Sequence, residues 1–517
     1  MSRLCVPIFV HSLDQARRDI ARAIEAGADL IELRLDHVAD VSVAIELQDA
    51  FPQSTFILTK RAARQGGDCE DSDADRLPWL LHARGDRANW VDIEADSEPN
   101  VLKYAFAEQG ADRRTILSQH DFKTRPTDLT KKFVAMQESP ASVAKVAWQA
   151  RSLRDNIEAF ELMLAGPKPA IAICMGEAGQ ISRILAKKFG AFLSFASLED
   201  RSATAPGQVR IADLKSTYRW DKQTRDTKVY GVVGSPVGHS MSPAVHNAGF
   251  DAIGFDGVYV PLLVEPSYAS FKAFMESFLA FEPLHLSGLS ITIPHKENAL
   301  AYAKEKGFNV DPLAERIGAV NTYRLETGKP SVAVSTDYAA ILDTITSGLG
   351  IDREGLSGLR VAVVGAGGTG RTAVAALAHF GANVTILNRT KKRAEELAEE
   401  LHGKIGTVVA LPLNQLTGGE FDVVVNATSL GMSPEVEGSI FDDSVPRLSS
   451  QTLVFDTVYN PMETKLLRQA KEAGAKIASG VDMFVRQAIG QFELWTEKPA
   501  PTELMRQVIV ERLSRAK

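Results

Sequence analysis

Residues 359–370 read LRVAVVGAGGTG. The apolar run Val361 to Val364 breaks into Gly365, Gly367, Gly368 and Gly370, and an alanine-rich stretch at helical spacing follows. Glycines at this spacing permit a tight turn and let backbone approach a pyrophosphate at the start of the next helix. A strand before the glycines, and a helix and strand after them, supply the context a dinucleotide site requires. The next strand, NVTILNRT (383–390), decides which nucleotide. About 20 residues past the glycines an NAD site places Asp or Glu on the ribose 2′-hydroxyl. Here stand Asn388, Arg389 and Thr390, with Arg393 one turn further. Two guanidinium groups and no carboxylate suit a 2′-phosphate, so NADP(H) is the expected cofactor. The bland alternative, a solvated helix start rich in Lys and Arg, would set cations against the helix dipole.

Upstream of this segment, polar residues gather at the edges of β-rich runs. GSPVGHSMSPAVHN (234–247) places Ser240 and Ser242 beside a helix start, as anion-binding hydroxyls or as ordinary caps. SITIPHK (290–296) ends on Lys296, a surface lysine unless something faces it. STDY (335–338) sets Asp337 at a strand-to-helix junction, where an N-cap is the plain alternative. His239, His246, His285 and His295 share no metal-ligand spacing, and no metal is expected.

The first 212 residues follow a different rhythm. Eight short apolar runs alternate with amphipathic stretches: LCVPIFV, ADLIELRLD, STFILTKR, WVDIEAD, RTILSQHDF, VAKVAW, AIAICMG and FLSFASL. The first amphipathic stretch opens at Ser12 with Ser-x-x-Gln, a capping box, and closes at Gly27. Eight strand–helix units predict a (β/α)8 TIM barrel, with an open doubly wound sheet as the other α/β possibility. In a barrel the C-terminal strand ends form the catalytic rim. Glu32, Arg34 and Asp36 share one face of the second strand. Arg61, Glu94, His120 and Lys145 lie toward the ends of the third to sixth, Met175 on the seventh, and Thr204 and Gln208 beyond the eighth. Each alone reads as a solvated strand end; together they read as a site. Lys145 stands out because its strand is otherwise apolar. Desolvation disfavours an ammonium, and a free amine can attack a ketone. The structural alternative is a buried ion pair, with Glu94 the expected partner.

Composition bounds the rest. A chain of 517 residues predicts about three domains. Hydrophobic residues at 45% and charged residues at 24% exclude wholesale disorder. A net charge of −7 without a basic tract argues against nucleic acid as a partner. Three cysteines, Cys5, Cys69 and Cys174, form no disulfide framework or zinc pattern and suggest a reducing compartment. The apolar Leu4–Val10 run is too short for a membrane span. A cytoplasmic protein is expected, with a removed organellar transit peptide left open.

These motifs carry two resemblances. ELRLD, TKRxxxxGG, SQHDF, the strand lysine, CMGxxGxxSR and TAPGQ resemble the type I 3-dehydroquinate dehydratases across the first half. The resemblance implies Lys145 as the Schiff-base lysine, His120 as general acid and base, and Arg183 as partner of the substrate carboxylate. Glu32, Arg34, Arg61, Thr204 and Gln208 would bind hydroxyls and carboxylate, and Met175 would cover the ring. Gln65 stands where that family usually has Glu, and Thr204 where Ser is usual. An amide can orient an imidazole but cannot raise its pKa as a carboxylate does.

GHSMSP, TIPHK, AVNT, STD, GAGGTGR, NRT, NATSLGM, DTVYNP and MFVRQA resemble shikimate dehydrogenases over residues 229–517. That implies Lys296 and Asp337 as the catalytic pair. Ser240, Ser242, Thr292, Asn321, Tyr459 and Gln487 would bind substrate, and Asn426, Thr428 and Met432 would approach the cofactor. Ser290 and Ser335 stand where Asn is frequent, which leaves shikimate against quinate open. The whole chain is similar to bifunctional 3-dehydroquinate dehydratase/shikimate dehydrogenases. The expected ligands are therefore 3-dehydroquinate, 3-dehydroshikimate, shikimate and NADP(H), with no nucleic acid or membrane partner. The expected division is a barrel at 1–218, a linker at 219–228, a substrate domain at 229–336 completed by 481–517, and a Rossmann domain at 337–480. Two rivals are a non-catalytic sensor built on degenerate copies and a quinate-utilising dehydrogenase running in reverse.

Overall fold

A computed structural model describes residues 2–108, 114–199, 205–238, 240–325, 328, 330–401, 407–442 and 445–515. The chain divides into two compact units, residues 1–243 with 256–286, and residues 244–255 with 287–517.

In the first unit all eight expected strands form: β1 (Arg3–Phe9), β2 (Leu30–Arg34), β3 (Phe56–Thr59), β4 (Trp90–Glu94), β5 (Thr115–Asp121), β6 (Val143–Gln149), β7 (Ala170–Met175) and β8 (Leu193–Ser197). They pair in parallel in the order β7-β6-β5-β4-β3-β2-β1-β8. Returning β8 to β1 is what closing a TIM barrel requires, and a doubly wound sheet does not do it. At the seam the Phe192 N–H donates to the Ala170 carbonyl at 2.8 Å. Inward positions follow the period of two. Cys5, Leu30, Ile57, Ile116, Val143, Ile171 and Leu193 build an apolar floor. Two residues further along the strands, Glu32, Thr59, Asp92, Ser118 and Lys145 form a buried polar ring.

The first helix, Leu13–Glu25, shows how closely local rules hold. Ser12 caps it by accepting the Gln15 N–H, and Gly27 follows its end at φ +85°. The Gln15 side chain, however, accepts from the His11 N–H and not from the Ser12 N–H, so the box closes one residue early. Residues 219–228, read above as a linker, are packed. Trp220 is buried, Gln223 Nε2 donates to the carbonyls of Ile184 and Tyr218, and Lys188 Nζ donates to the Arg225 carbonyl at 2.6 Å. A short β9 (Val209–Arg210) precedes this segment, and β10 (Lys228–Gly234) pairs in parallel with β11 (Gly257–Leu263) after it.

The second unit contains two sheet systems. β12 (Leu286–Ile291), β13 (Asn309–Val310), β14 (Thr322–Arg324) and β15 (Val332–Val334) are mixed, with β14 antiparallel to β12 and β15 and with β13 parallel to β15. The other strands are β16 (Arg360–Val364), β17 (Asn383–Asn388), β18 (Thr407–Pro412), β19 (Val423–Asn426), β20 (Leu453–Asp456) and β21 (Lys476–Ala478). They run in parallel in the order β18-β17-β16-β19-β20-β21, the doubly wound Rossmann arrangement. Helix Gly480–Thr496 starts from a complete Ser479/Asp482 capping box and packs against helix Thr336–Leu349. Among the described residues no helix is long and apolar enough to cross a membrane.

Candidate functional site

The C-terminal mouth of the barrel forms an open cleft of about 500 Å³, solvent space at its entrance included. Its walls include Glu32, Arg34, Arg61, His120, Lys145, Met175, Arg183 and Gln208, so residues from four strands, the loop after β3, the helix Ile181–Ile184 and the segment before Val209 come together. Thr204 lies outside the described residues. Sequence reading missed Gly66, Phe122, Ala147, Ile173, Phe195 and Ala205, which supply the apolar part of the wall. Phe195 was recoverable from strand alternation, and Lys145 Nζ lies 4.4 Å from its ring centroid.

Lys145 is not isolated, and its partner is not Glu94. Its Nζ donates to Asp92 Oδ2 at 2.8 Å and lies 4.0 Å from Glu32 Oε1. Glu94 instead receives Arg61 and Arg76. Asp92 also accepts from Arg61 Nη2 at 2.7 Å and from the Ser118 hydroxyl at 2.6 Å. Burial alone would raise the Asp92 carboxyl, but the charges of Arg61 and Lys145 hold it well below the carboxylate range. An anion is therefore kept at the lysine. The Arg61 guanidinium, expected to bind substrate, lines the cavity and donates to Asp92, Glu94 and Ser118. Arg34 is held by Asp36 through two bonds, at 3.2 and 2.6 Å.

Arg183 has the opposite situation. It is buried, donates to the Cys174 carbonyl at 2.8 Å, and has no carboxylate partner among the described residues. Its Nε has no partner among the described residues, and burial pulls the guanidinium down to about 10. A buried cation lacking its counter-ion in a cavity wall is a site for an anionic ligand.

His120 is oriented by Gln65. Gln65 Oε1 accepts from the His120 backbone N–H at 2.9 Å and lies 3.1 Å from Nδ1. The backbone N–H can only donate, so the facing amide atom is oxygen, and the imidazole proton sits on Nδ1. Nε2 is left as the base. Burial, then the nearby Arg61 and Lys145 charges, push the imidazole well below its ordinary value. Gln65→Glu would place a carboxylate at Nδ1 and favour the imidazolium. The acid limb of the dehydratase kcat/KM profile should then move up by about one pH unit or more. An unchanged limb between pH 4 and 8 would remove Gln65 from this role.

In the second unit Lys296 and Asp337 meet. Lys296 Nζ donates to Asp337 Oδ2 at 2.5 Å across 41 residues of sequence. Asp337 lies in the first turn of its helix, but its carboxylate pairs with the lysine and Ser335 occupies the cap position. Asn321 is buried next to Thr336, and Tyr459 packs on Phe484, one turn before Gln487. Thr292 accepts the His295 N–H with its carbonyl and is half-buried. In the first unit, Ser240 Oγ accepts the Ser242 N–H at 3.3 Å, the local turn that the capping alternative anticipated.

The glycine loop fits a dinucleotide. Gly365 has φ +114°, and a Cβ on Gly370 would come 2.1 Å from the Gly365 carbonyl oxygen. Gly367 and Gly368 would direct a Cβ into open space, at the start of helix Gly368–His379. Arg389 and Arg393 are exposed and have no carboxylate partner among the described residues, while Asn388 Nδ2 donates to the Thr390 carbonyl at 2.9 Å. Asn426 is engaged within the protein. It is fully buried, donates to Asp456 at 2.9 Å and accepts from the Thr428 N–H and hydroxyl. Its carboxamide shapes the Thr428–Met432 loop, with partners on both ends as buried amides require.

Comparison with known proteins agrees in both halves. The type I 3-dehydroquinase profile matches residues 4–225. Profiles for the shikimate dehydrogenase substrate binding domain, shikimate/quinate 5-dehydrogenase and the shikimate 5′-dehydrogenase C-terminal domain match 232–323, 351–461 and 480–510. A chloroplastic bifunctional 3-dehydroquinate dehydratase/shikimate dehydrogenase of Arabidopsis thaliana is 37% identical over 98% of this chain and 84% of its own. The chain belongs to the bifunctional 3-dehydroquinate dehydratase/shikimate dehydrogenase family. A shikimate dehydrogenase (NADP(+)) of Methanosarcina acetivorans is 41% identical over 55% of this chain and 99% of its own. A crystal structure of a shikimate dehydrogenase with NADP+ aligns at 32% identity and a TM-score of 0.49, covering 56% of this chain and 96% of that one. Family membership accounts for both halves, since one profile ends near residue 225 and the next begins at 232.

Proposed function

We propose that the barrel dehydrates 3-dehydroquinate through a Schiff base on Lys145, and that the second half reduces the resulting 3-dehydroshikimate to shikimate with NADPH. The observation that carries the first step is one cavity lined by Lys145, His120 and Arg183, whose guanidinium has no carboxylate partner among the described residues. Arg183 receives the substrate carboxylate and sets the ring over Lys145. The Lys145 amine adds to the ketone, and loss of water gives a protonated iminium. That iminium keeps the positive charge at Nζ, where Asp92 already supplies a carboxylate at 2.8 Å. His120 Nε2 removes the proton on the adjacent carbon, and the electron pair moves toward the iminium nitrogen. The same imidazolium then protonates the departing β-hydroxyl, which leaves as water. Hydrolysis of the iminium releases the enone and restores Lys145.

In the second half Lys296 is the proton donor to the carbonyl oxygen, and Asp337 holds its ammonium in place. Asn321, Tyr459, Gln487 and Thr292 contribute polar groups that would bind the hydroxyls and carboxylate. The residues that would hold the cofactor are the Gly365–Gly370 loop at the pyrophosphate and Arg389, Arg393 and Thr390 at the 2′-phosphate. Bound NADPH supplies the hydride. Arg389→Ala should raise the KM for NADPH by about tenfold or more while that for NADH changes little, because only one of them carries the phosphate. Equal changes for both would remove Arg389 from phosphate recognition.

The test of the whole reading uses the full chain alone. Given 3-dehydroquinate and NADPH, it should oxidise NADPH without added dehydratase. No oxidation, with the protein folded, would sink the two-step assignment.

A further inference from the structure

Gln491 is fully buried on helix Gly480–Thr496, one turn beyond Gln487, and neither motif nor family role accounts for it. We propose that Gln491 is a positioning residue for the dehydrogenase, whose carboxamide sets the direction of a buried hydrogen-bond chain that aims Asn321 at the substrate and holds the helix start bearing Asp337. The proposal rests on the assignment of Lys296, Asp337 and Asn321 made above.

The chain of bonds has one sense. Ser290 Oγ donates to Gln491 Oε1 at 2.8 Å, and Gln491 Nε2 donates to Thr322 Oγ1 at 3.0 Å. With its oxygen accepting, the Thr322 hydroxyl donates its one proton onward to Asn321 Oδ1 at 2.8 Å. That oxygen also accepts the Thr336 backbone N–H at 2.8 Å, and Asn321 Nδ2 donates to Thr336 Oγ1 at 3.1 Å. Neither the Thr336 N–H nor the committed Thr322 hydroxyl can tolerate an N–H opposite it, so the Asn321 amide cannot flip. Its second Nδ2 hydrogen has no acceptor among the described residues and is the group left to meet a substrate hydroxyl.

The same chain reaches the catalytic pair. Thr336 is the first residue of helix Thr336–Leu349, and Asp337 follows it, 2.5 Å from Lys296. Ser290, Thr322, Asn321 and Gln491 are all buried, so no solvent competes for these bonds and their direction persists. Buried His246 lies against the same carboxamide, and burial pulls it down to about 3, so it stays neutral and adds no charge to the hub.

Gln491→Met keeps the shape and removes both amide functions. In the full-length protein it should lower kcat/KM for shikimate oxidation by about 10- to 100-fold. The KM for NADP+ and the dehydratase activity of the same preparation should stay within twofold. Combined with Asn321→Ala, the losses should not multiply, because Gln491 acts through Asn321. A shikimate kcat/KM within twofold of the parent, multiplying losses, or a parallel rise in the NADP+ KM would each overturn the proposal. Lys296→Ala in the same assay separates the two levels. If Lys296→Ala stays active, the site assignment fails and this proposal falls with it; if it is inactive while Gln491→Met is unimpaired, Gln491 alone is wrong. Should Gln491→Met not fold, Gln491→Glu carries the test. A protonated acid can accept from Ser290 and donate to Thr322, so its activity relative to the parent should rise as pH falls, and a flat ratio overturns the proposal.

Discussion

Lys145→Ala is expected to lower dehydratase kcat by about 10⁴-fold or more, the scale seen when a covalent nucleophile is removed. Borohydride should trap a substrate adduct on the parent protein and none on the variant. Shikimate oxidation by the same preparation should be unchanged, which shows that the protein is folded. The surroundings of Lys145 make the substitution clean. Asp92 retains Arg61 at 2.7 Å and Ser118 at 2.6 Å after the lysine is gone, and Glu32 retains the Thr59 hydroxyl at 2.8 Å. Asp92→Ala would be a poor substitute, because Arg61 keeps Glu94 but the buried Lys145 ammonium keeps only Glu32 at 4.0 Å, at a cost of about 3–5 kcal/mol. A trapped adduct on Lys145→Ala would refute the Schiff-base assignment outright.

What the sequence could disclose about this site follows from how strands and barrels work. Alternation along ELRLD and VAKVAW assigns Glu32, Arg34 and Lys145 to one face, and a barrel sends every such face to a common mouth. The rim residues were therefore legible without knowing any distance between them. Partners were not. Lys145 and Asp92 are 53 residues apart, and choosing Asp92 over Glu94 requires the stagger of β4, β5 and β6. Both carboxylates face inward on β4, and the shift in register decides which one reaches the lysine.

The same limit explains Asn426 and Gln491. A motif places Asn426 beside a cofactor loop, but only the position of Asp456 on the neighbouring strand reveals that its carboxamide is already engaged. Gln491 reads as one more helical residue near a binding-site glutamine. Its role depends on Ser290, 201 residues earlier. Residues 219–228 show a related limit. Their charged composition suggested solvation, yet Trp220 packs, Arg225 accepts Lys188 with its carbonyl, and the buried Arg219 guanidinium donates to the Gly257 carbonyl. Composition reports where a side chain ends and not what its backbone touches.

Lys296→Ala should reduce the rate of shikimate oxidation by about 10²- to 10⁴-fold, the range for losing a positioned proton-transfer group. The loss should fall mainly on kcat, since the proton moves only as the carbonyl oxygen gains or gives up charge. Asp337→Asn should cost less, because the amide can still accept from the Lys296 ammonium while ceasing to balance its charge. The double variant should be no slower than Lys296→Ala alone. With the lysine gone, Asp337 has nothing left to position, and residues acting as a unit do not add. If the two losses instead multiply, Asp337 contacts the substrate independently, and the 2.5 Å bond between them is incidental to the chemistry. The dehydratase activity of every variant, measured in the same tube, fixes the concentration of intact chain against which these ratios are read.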